Sequence, residues 1–242
     1  MTDADLHLYF DPVCPFCWMT SKWVRMVAAR RHYEVDWRFI SLRLVNAHID
    51  YAAHFPPEYE AGHTAGLRML RVAARVRKEH GTEALDRLQE AFGHHIFEQE
   101  PVPDTADARE RQGSETFVAA VLASAGLPAT LTEALEDTAW DEIVQAETDE
   151  ALALTGRDVG TPIIQVDPPD GLAFFGPVIS RMPTEEQAGE LWDHAVGLAR
   201  FPGFAELKRS LREQPQLPSF GVSTDQVGVT EDWHGGSRRQ HR

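Results

Sequence analysis

The chain has 242 residues, with 38 acidic against 23 basic side chains and a formal net charge of −15. Affinity for nucleic acid comes from Lys and Arg neutralising phosphates, and anionic membrane surfaces repel an acidic chain, so neither partner is expected. The 43% apolar fraction supports a sizeable core, the length suits one domain or one domain with a large insertion, and no apolar run approaches the about 18 residues of a spanning helix.

The opening MTDADLHLYFD is acidic and passes at once into a strand pattern. A secretory signal has a basic start and an apolar stretch of about 7–15 residues. The expected location is therefore the cytoplasm, where thiols are kept reduced and a pair of cysteines is more often catalytic or metal-binding than a staple. LHLYFD (6–11) alternates loosely and is rich in strand formers. The only two cysteines, Cys14 and Cys17, follow within three residues. PFCWMTSKWVRMVAARR then carries apolar residues at helical spacing, with Pro15 in the first turn, where its missing N–H costs nothing. YEVDWRFISL (33–42) is a second strand with Val35, Trp37 and Phe39 facing inward.

A long helical block follows. Four periodic segments between Gly66 and Gly156 predict a helical subdomain, interrupted by the charged, Pro-containing surface connection EQEPVPDTADARERQG (98–113). GTPIIQVD (160–167) and LAFFGPVI (172–179) read as an antiparallel hairpin whose turn is DPPDG. TEEQAGELWDHAVGLAR is the best helix, with a capping box at Thr184 and Gln187 and a buried stripe of Ala188, Leu191, Trp192, Ala195 and Val196. Residues 201–211 predict a short final helix. Beyond Glu213 the composition turns polar and ends in SRRQHR, and a disordered tail is expected.

The order strand, CxxC, helix, strand, helical block, hairpin, helix is that of an α/β thioredoxin fold with a helical insertion. The expected division is a discontinuous thioredoxin-fold domain at 1–57 and 157–212, an insertion at 58–156 and a tail at 213–242. Cys14 falls at a helix N-terminus, where free N–H groups and the helix dipole favour the thiolate, the reactive form. Cys17 stands one turn on, placed to resolve a mixed disulfide and expected to be more buried and less acidic. Two other readings compete. A zinc site needs four ligands as a rule; the chain has no second CxxC, and His94 and His95 are far away in sequence. The pair could also be buried as small hydrophobes. The position between strand and helix favours redox chemistry over both.

Pro162 directly precedes a strand. In thioredoxin folds a cis-proline loop at this point faces the CxxC and exposes the backbone of the preceding residue, here Thr161, to a ligand. An ordinary strand-entry proline is the alternative, since only about 5–6% of X–Pro bonds in folded proteins are cis. Asp11 could accept or relay a proton for Cys17, or Asp-Pro could simply start a turn. Trp18 is a candidate for an aromatic surface near the thiols, and Trp23 reads as core. His94 and His95 read as surface residues at a helix end.

FDPVCPFCW, GTPIIQV, FFGPVI and AGELWD, in this order, resemble the DsbA-like thioredoxin family. More narrowly they resemble its mycothiol-dependent nitroreductase branch, over about residues 6–215. The resemblance implies that Cys14 forms a mixed disulfide with mycothiol, that Cys17 resolves it, and that Thr161 and Pro162 form the cis-proline loop. Pro15, Phe16, Trp18, Thr161 and Pro162 would border the substrate. It also implies reduction of small electrophiles such as nitro-aromatics, with mycothiol as thiol co-substrate and no flavin. No GxGxxG follows a strand, so no flavin or nicotinamide fingerprint is present and no tightly bound cofactor is expected; without a four-ligand set no metal is expected either. Phe16 stands where the branch usually has Trp, DPPDG is longer than its typical hairpin loop, and the tail is extra. Alternatives within the fold are a general protein thiol-disulfide oxidoreductase, a non-catalytic redox sensor or adaptor, and an isomerase or transferase of the glutathione-transferase-kappa type. That last type generally has serine at the position of Cys14.

Overall fold

Leu6–Phe10 forms strand β1, Pro15–Arg31 helix α1 and Val35–Phe39 strand β2. The computed structural model describes residues 4–209 and 211–232. β1 pairs parallel with β2, in a register running from Leu6 opposite Val35 to Phe10 opposite Phe39. Ile163–Val166, β3, lies antiparallel on the other side of β1, and Ala173–Phe175, β4, pairs antiparallel with β3. The sheet order is β2-β1-β3-β4. A parallel first pair with its crossover helix, extended by an antiparallel hairpin, is the thioredoxin fold.

The alternation of β1 sorts its side chains onto two faces. Leu6, Leu8 and Phe10 join Trp37, Phe39, Ile164 and Val166 in the main apolar cluster. Tyr9 points to the opposite face, with Ile40, Ile163, Ala151 and Leu152. Helix α1 is buried nearly all round over its first two turns, from Phe16 to Ser21, because helices cover it on both sides. Trp23 is core: its Nε1 donates to the Ala188 carbonyl at 3.0 Å and its ring meets Trp192 at 5.5 Å.

Between β2 and β3 the chain forms seven α-helices and two short 3-10 helices among the described residues. Leu42–Val45 (α2) and Tyr51–His54 (α3) are single turns that the periodicity does not announce. The long helices are Pro57–His80 (α4) and Thr82–Phe97 (α5), followed by Ala106–Gln112 (α6), Glu115–Ser124 (α7) and Asp141–Thr155 (α8). Helix α4 begins at Pro57, well before Gly66, with Pro at its first position. The surface connection 98–113 contains α6, capped by the Thr105 hydroxyl. Helix α8 is tied to β2 by side chains. Glu147 accepts the Phe39 amide at 2.8 Å and pairs with Arg77 of α4 at 2.6 Å, and the Thr148 hydroxyl accepts the Ser41 amide at 3.1 Å. The bond to Phe39 occupies a sheet-edge donor that would otherwise be open to another strand.

Glu185–Ala199, α9, carries the expected capping box at Thr184 and Gln187. The final helix expected over 201–211 does not form. Residues 204–209 have no regular structure, Leu207 is exposed, and residue 210 lies outside the described residues. Pro202-Gly203 forms a tight turn in which the Phe204 amide donates to the Phe201 carbonyl at 2.9 Å, and the chain leaves it in irregular conformation instead of continuing as helix. The tail also departs from expectation. Leu211–Glu213 (β5) pairs antiparallel with Thr230–Asp232 (β6), and Leu217 and Val222 between them are buried. Tertiary contact supplies what the polar composition lacks. The SRRQHR end lies outside the described residues.

Candidate active site

The turn from β1 into α1 places Cys14 as N-cap, in extended conformation, with Pro15 at the first helical position. Its Sγ therefore faces the free amides of the first turn and accepts the Cys17 N–H at 3.3 Å. From across the fold the Thr161 hydroxyl donates to the same sulfur at 3.1 Å. The Thr161–Pro162 peptide bond is cis, and the Thr161 carbonyl lies 3.9 Å from Cys14 Sγ. Both thiols are free and buried, and Cys14 is 6% exposed.

The two sulfurs are not equivalent. The hydrogen bond from Cys17 holds the Cys14 thiol below its ordinary pKa, helped by the Thr161 hydroxyl and the Cys17 amide; burial and the charge of Asp11 work against them. Cys17 is pushed well above the ordinary thiol range, chiefly by burial, then by the hydrogen bond to Cys14 and the Cys14 charge. One thiol is poised to ionise and the other to stay protonated.

Asp11 is fully buried at the end of β1. Its Oδ1 accepts the Val13 amide at 3.0 Å and its Oδ2 accepts the Leu42 amide at 2.7 Å. Burial outweighs these two bonds and raises its pKa to about 7. Asp11 and Cys17 border a common cavity of about 10 Å³, together with Trp18, Gln89, Phe92 and Phe97. That is room for about one water molecule.

The structure thus brings Asp11, Cys14, Cys17 and Thr161 together, with Pro162 beside them. Phe16 is buried. Trp18 is buried too, its indole N–H donating to Glu98 at 2.7 Å and its ring meeting His94 edge-on at 5.4 Å. Glu98 also pairs with Lys22 at 2.6 Å. His95 turns away from this group and bonds the Ser124 hydroxyl. Among the described residues no group of three or more His, Cys, Asp or Glu is placed to hold a metal ion, and no helix is long and apolar enough to cross a membrane.

Two glycines seat these side chains. A Cβ on Gly93 of α5 would lie 2.1 Å from the Trp18 ring, and one on Gly66 of α4 would lie 2.6 Å from Asp11 Oδ1. Neither helix could approach α1 and the β1 end so closely with a larger residue. The sequence does contain the signal, a glycine inside a helical pattern, but not its partner. Glu98 and Lys22 are likewise visible only in three dimensions.

Three comparisons bear on this arrangement. The family model described as "Rv2466c-like: Mycothiol-dependent nitroreductase Rv2466c" matches residues 13–209, a span that includes both cysteines and Thr161-Pro162. A Mycobacterium tuberculosis chain described as "Uncharacterized protein Rv2286c" is 32% identical over 211 residues, covering 86% of this chain and 82% of that one. A crystal structure of a putative protein-disulfide isomerase from Pseudomonas syringae aligns with a TM-score of 0.46 at 16% identity, covering 77% of this chain and 92% of the other. The chain belongs to the Rv2466c-like family of mycothiol-dependent nitroreductases and is a thiol-dependent oxidoreductase of the thioredoxin fold.

Proposed function

We propose that the protein is a cytoplasmic reductase that draws electrons from a low-molecular-weight thiol, mycothiol, and passes them through Cys14 and Cys17 to small electrophilic acceptors such as nitro-aromatics. The observation that carries this is the asymmetry of the cysteine pair. Cys14 receives the Cys17 amide and the Thr161 hydroxyl at its sulfur, while burial keeps Cys17 protonated.

In the oxidative half-reaction the Cys14 thiolate adds to the acceptor. Cys17 then attacks Cys14, and the dithiol becomes a disulfide. The acceptor takes the two electrons and two protons; a nitro group becomes nitroso and releases water. Asp11, sharing a water-sized cavity with Cys17, takes the Cys17 proton as that thiol attacks. With a pKa raised to about 7 it can both accept and return a proton near neutral pH. In the reductive half-reaction one mycothiol thiolate opens the disulfide at Cys14 and forms a mixed disulfide. A second thiol displaces it, giving mycothiol disulfide and the starting dithiol. Pro15, Phe16 and the Thr161-Pro162 loop border the place where both ligands meet Cys14, while Trp18, expected there too, is buried behind it and held by Glu98.

The test is a trap. In the Cys17→Ser protein no internal disulfide can form, so mycothiol attacks the Cys14 adduct in place of Cys17 and leaves a mixed disulfide on Cys14 until a second thiol displaces it. Mass spectrometry of that protein recovered from a mycothiol-producing lysate should find mycothiol on Cys14. Recovery of protein adducts alone would replace this reading with a protein thiol-disulfide oxidoreductase.

A further inference from the structure

The family match ends at residue 209, yet the chain beyond it is built into the fold. Leu217 is 0% exposed and part of the main apolar cluster, and the turn that follows it, 218–220, packs on α5. The Gln216 amide donates to the Ser180 carbonyl at 2.7 Å. Arg181 grips Glu213 with two bonds, at 2.6 and 2.7 Å. On the other side a Cβ on Gly221 would touch the Pro101 ring at 3.8 Å. Gly228 lets the segment close on itself, since a Cβ there would lie 2.3 Å from the Gln214 carbonyl oxygen.

These fastenings fall on two different walls. Ser180 and Arg181 lie in the segment that leaves β4 through Gly176, whose amide donates to the Pro162 carbonyl at 2.9 Å. The next residue, Pro177, accepts the Thr20 hydroxyl of α1 at 3.0 Å. Pro101 follows Glu98, the residue that holds Trp18 and Lys22. Between the walls runs the first half of α1, with Cys14 at its tip.

We propose that residues 211–232 form a strap that fastens the helical insertion to the thioredoxin frame beside the two cysteines and sets the size of molecule that reaches Cys14. The proposal rests on Cys14 being the attacking thiol and concerns only access to it. The strap is a low-stability unit compared with the core: its ion pair is half exposed, and its apolar anchors are few.

The test uses the full-length chain. Leu217→Ala removes the main anchor. The double variant Arg181→Met/Glu213→Gln removes the ion pair and leaves that anchor in place. Alkylation rate constants at Cys14 are measured with iodoacetamide and with a fluorescein maleimide, alongside circular dichroism and hydrogen exchange. The maleimide rate should rise on the order of tenfold in Leu217→Ala and a few fold in the double variant. The iodoacetamide rate should change by less than about twofold. If Leu217→Ala fails to fold, the double variant decides on the same ratio. A bulky-to-small ratio that stays constant while exchange shows the strap released overturns the proposal. Alkylation needs neither mycothiol nor an acceptor, so this failure is distinct from failure of the proposed reduction.

Discussion

Replacing Asp11 with Asn keeps the shape of a fully buried side chain and removes its titration. The carboxyl has a pKa raised from 3.8 to about 7 by burial, against two backbone amides that favour the charged form. A carboxyl that binds its proton more tightly in the folded state stabilises the fold, relative to high pH, below its unfolded pKa. That contribution is lost as pH rises from about 4 through about 7, because over this range the native state holds a proton that the unfolded state has released. The gap corresponds to about 4 kcal/mol. Stability from urea titrations of the wild type and of Asp11→Asn, taken at intervals from pH 4 to 8, should therefore diverge by about that amount, the wild type losing ground as pH rises. The constant offset between the two contains the hydrogen bond that the Asn amide cannot accept, so only the pH-dependent part counts. The negative charge of Asp11 also opposes ionisation of Cys14, and Cys14 should titrate lower in Asp11→Asn. A difference in stability that stays flat across this range would mean that the Asp11 carboxyl keeps its ordinary pKa, too weak a base to hold the Cys17 proton near neutral pH.

Three further outcomes follow from the same geometry. Gly93→Ala forces the Trp18 ring, held at Glu98, back from a 2.1 Å overlap. The expected cost is about 1–3 kcal/mol despite the better helix propensity of Ala, seen as a melting temperature lower by several degrees; an unchanged or raised melting temperature would refute the seat. Thr161→Val removes the hydroxyl that donates to Cys14 Sγ at 3.1 Å and should raise the Cys14 pKa, read as an alkylation pH profile displaced to higher pH. Glu98→Gln weakens the grip on Lys22 and Trp18. Because that pair is only partly buried, the stability loss should stay near 1 kcal/mol, while the Trp18 contribution to fluorescence changes.

The elements nearest the cysteines were the most legible in the sequence, because local chemistry decides them. A strand pattern in 6–11, Pro15 after Cys14, and Thr184 with Gln187 each carry their structural reason within a few residues. DPPDG announces a turn between two β-rich runs. What was not legible depends on distant partners. Phe201 and Leu207 suggest an apolar face, but after the tight turn at Pro202-Gly203 the chain stays irregular and no helix presents it. Leu217 and Val222 sit in a polar stretch and are buried only because Ser180, Arg181 and the end of α5 provide a surface. At the site, Cys14 and Cys17 were plain from their spacing. The roles of Gly66 and Gly93, and the link from Trp18 to Glu98, require knowing which helices lie beside α1.

Catalysis through this pair requires Cys14 to be the ionised thiol and Cys17 the protonated one. Iodoacetamide labelling of the reduced protein across pH 5 to 10, with each cysteine quantified by mass spectrometry, tests it directly. Cys14 should be labelled through a single transition with its midpoint below the ordinary thiol value of about 8.5, while Cys17 stays unlabelled at neutral pH. A Cys14 midpoint at or above that value, or equal labelling of the two, would contradict it.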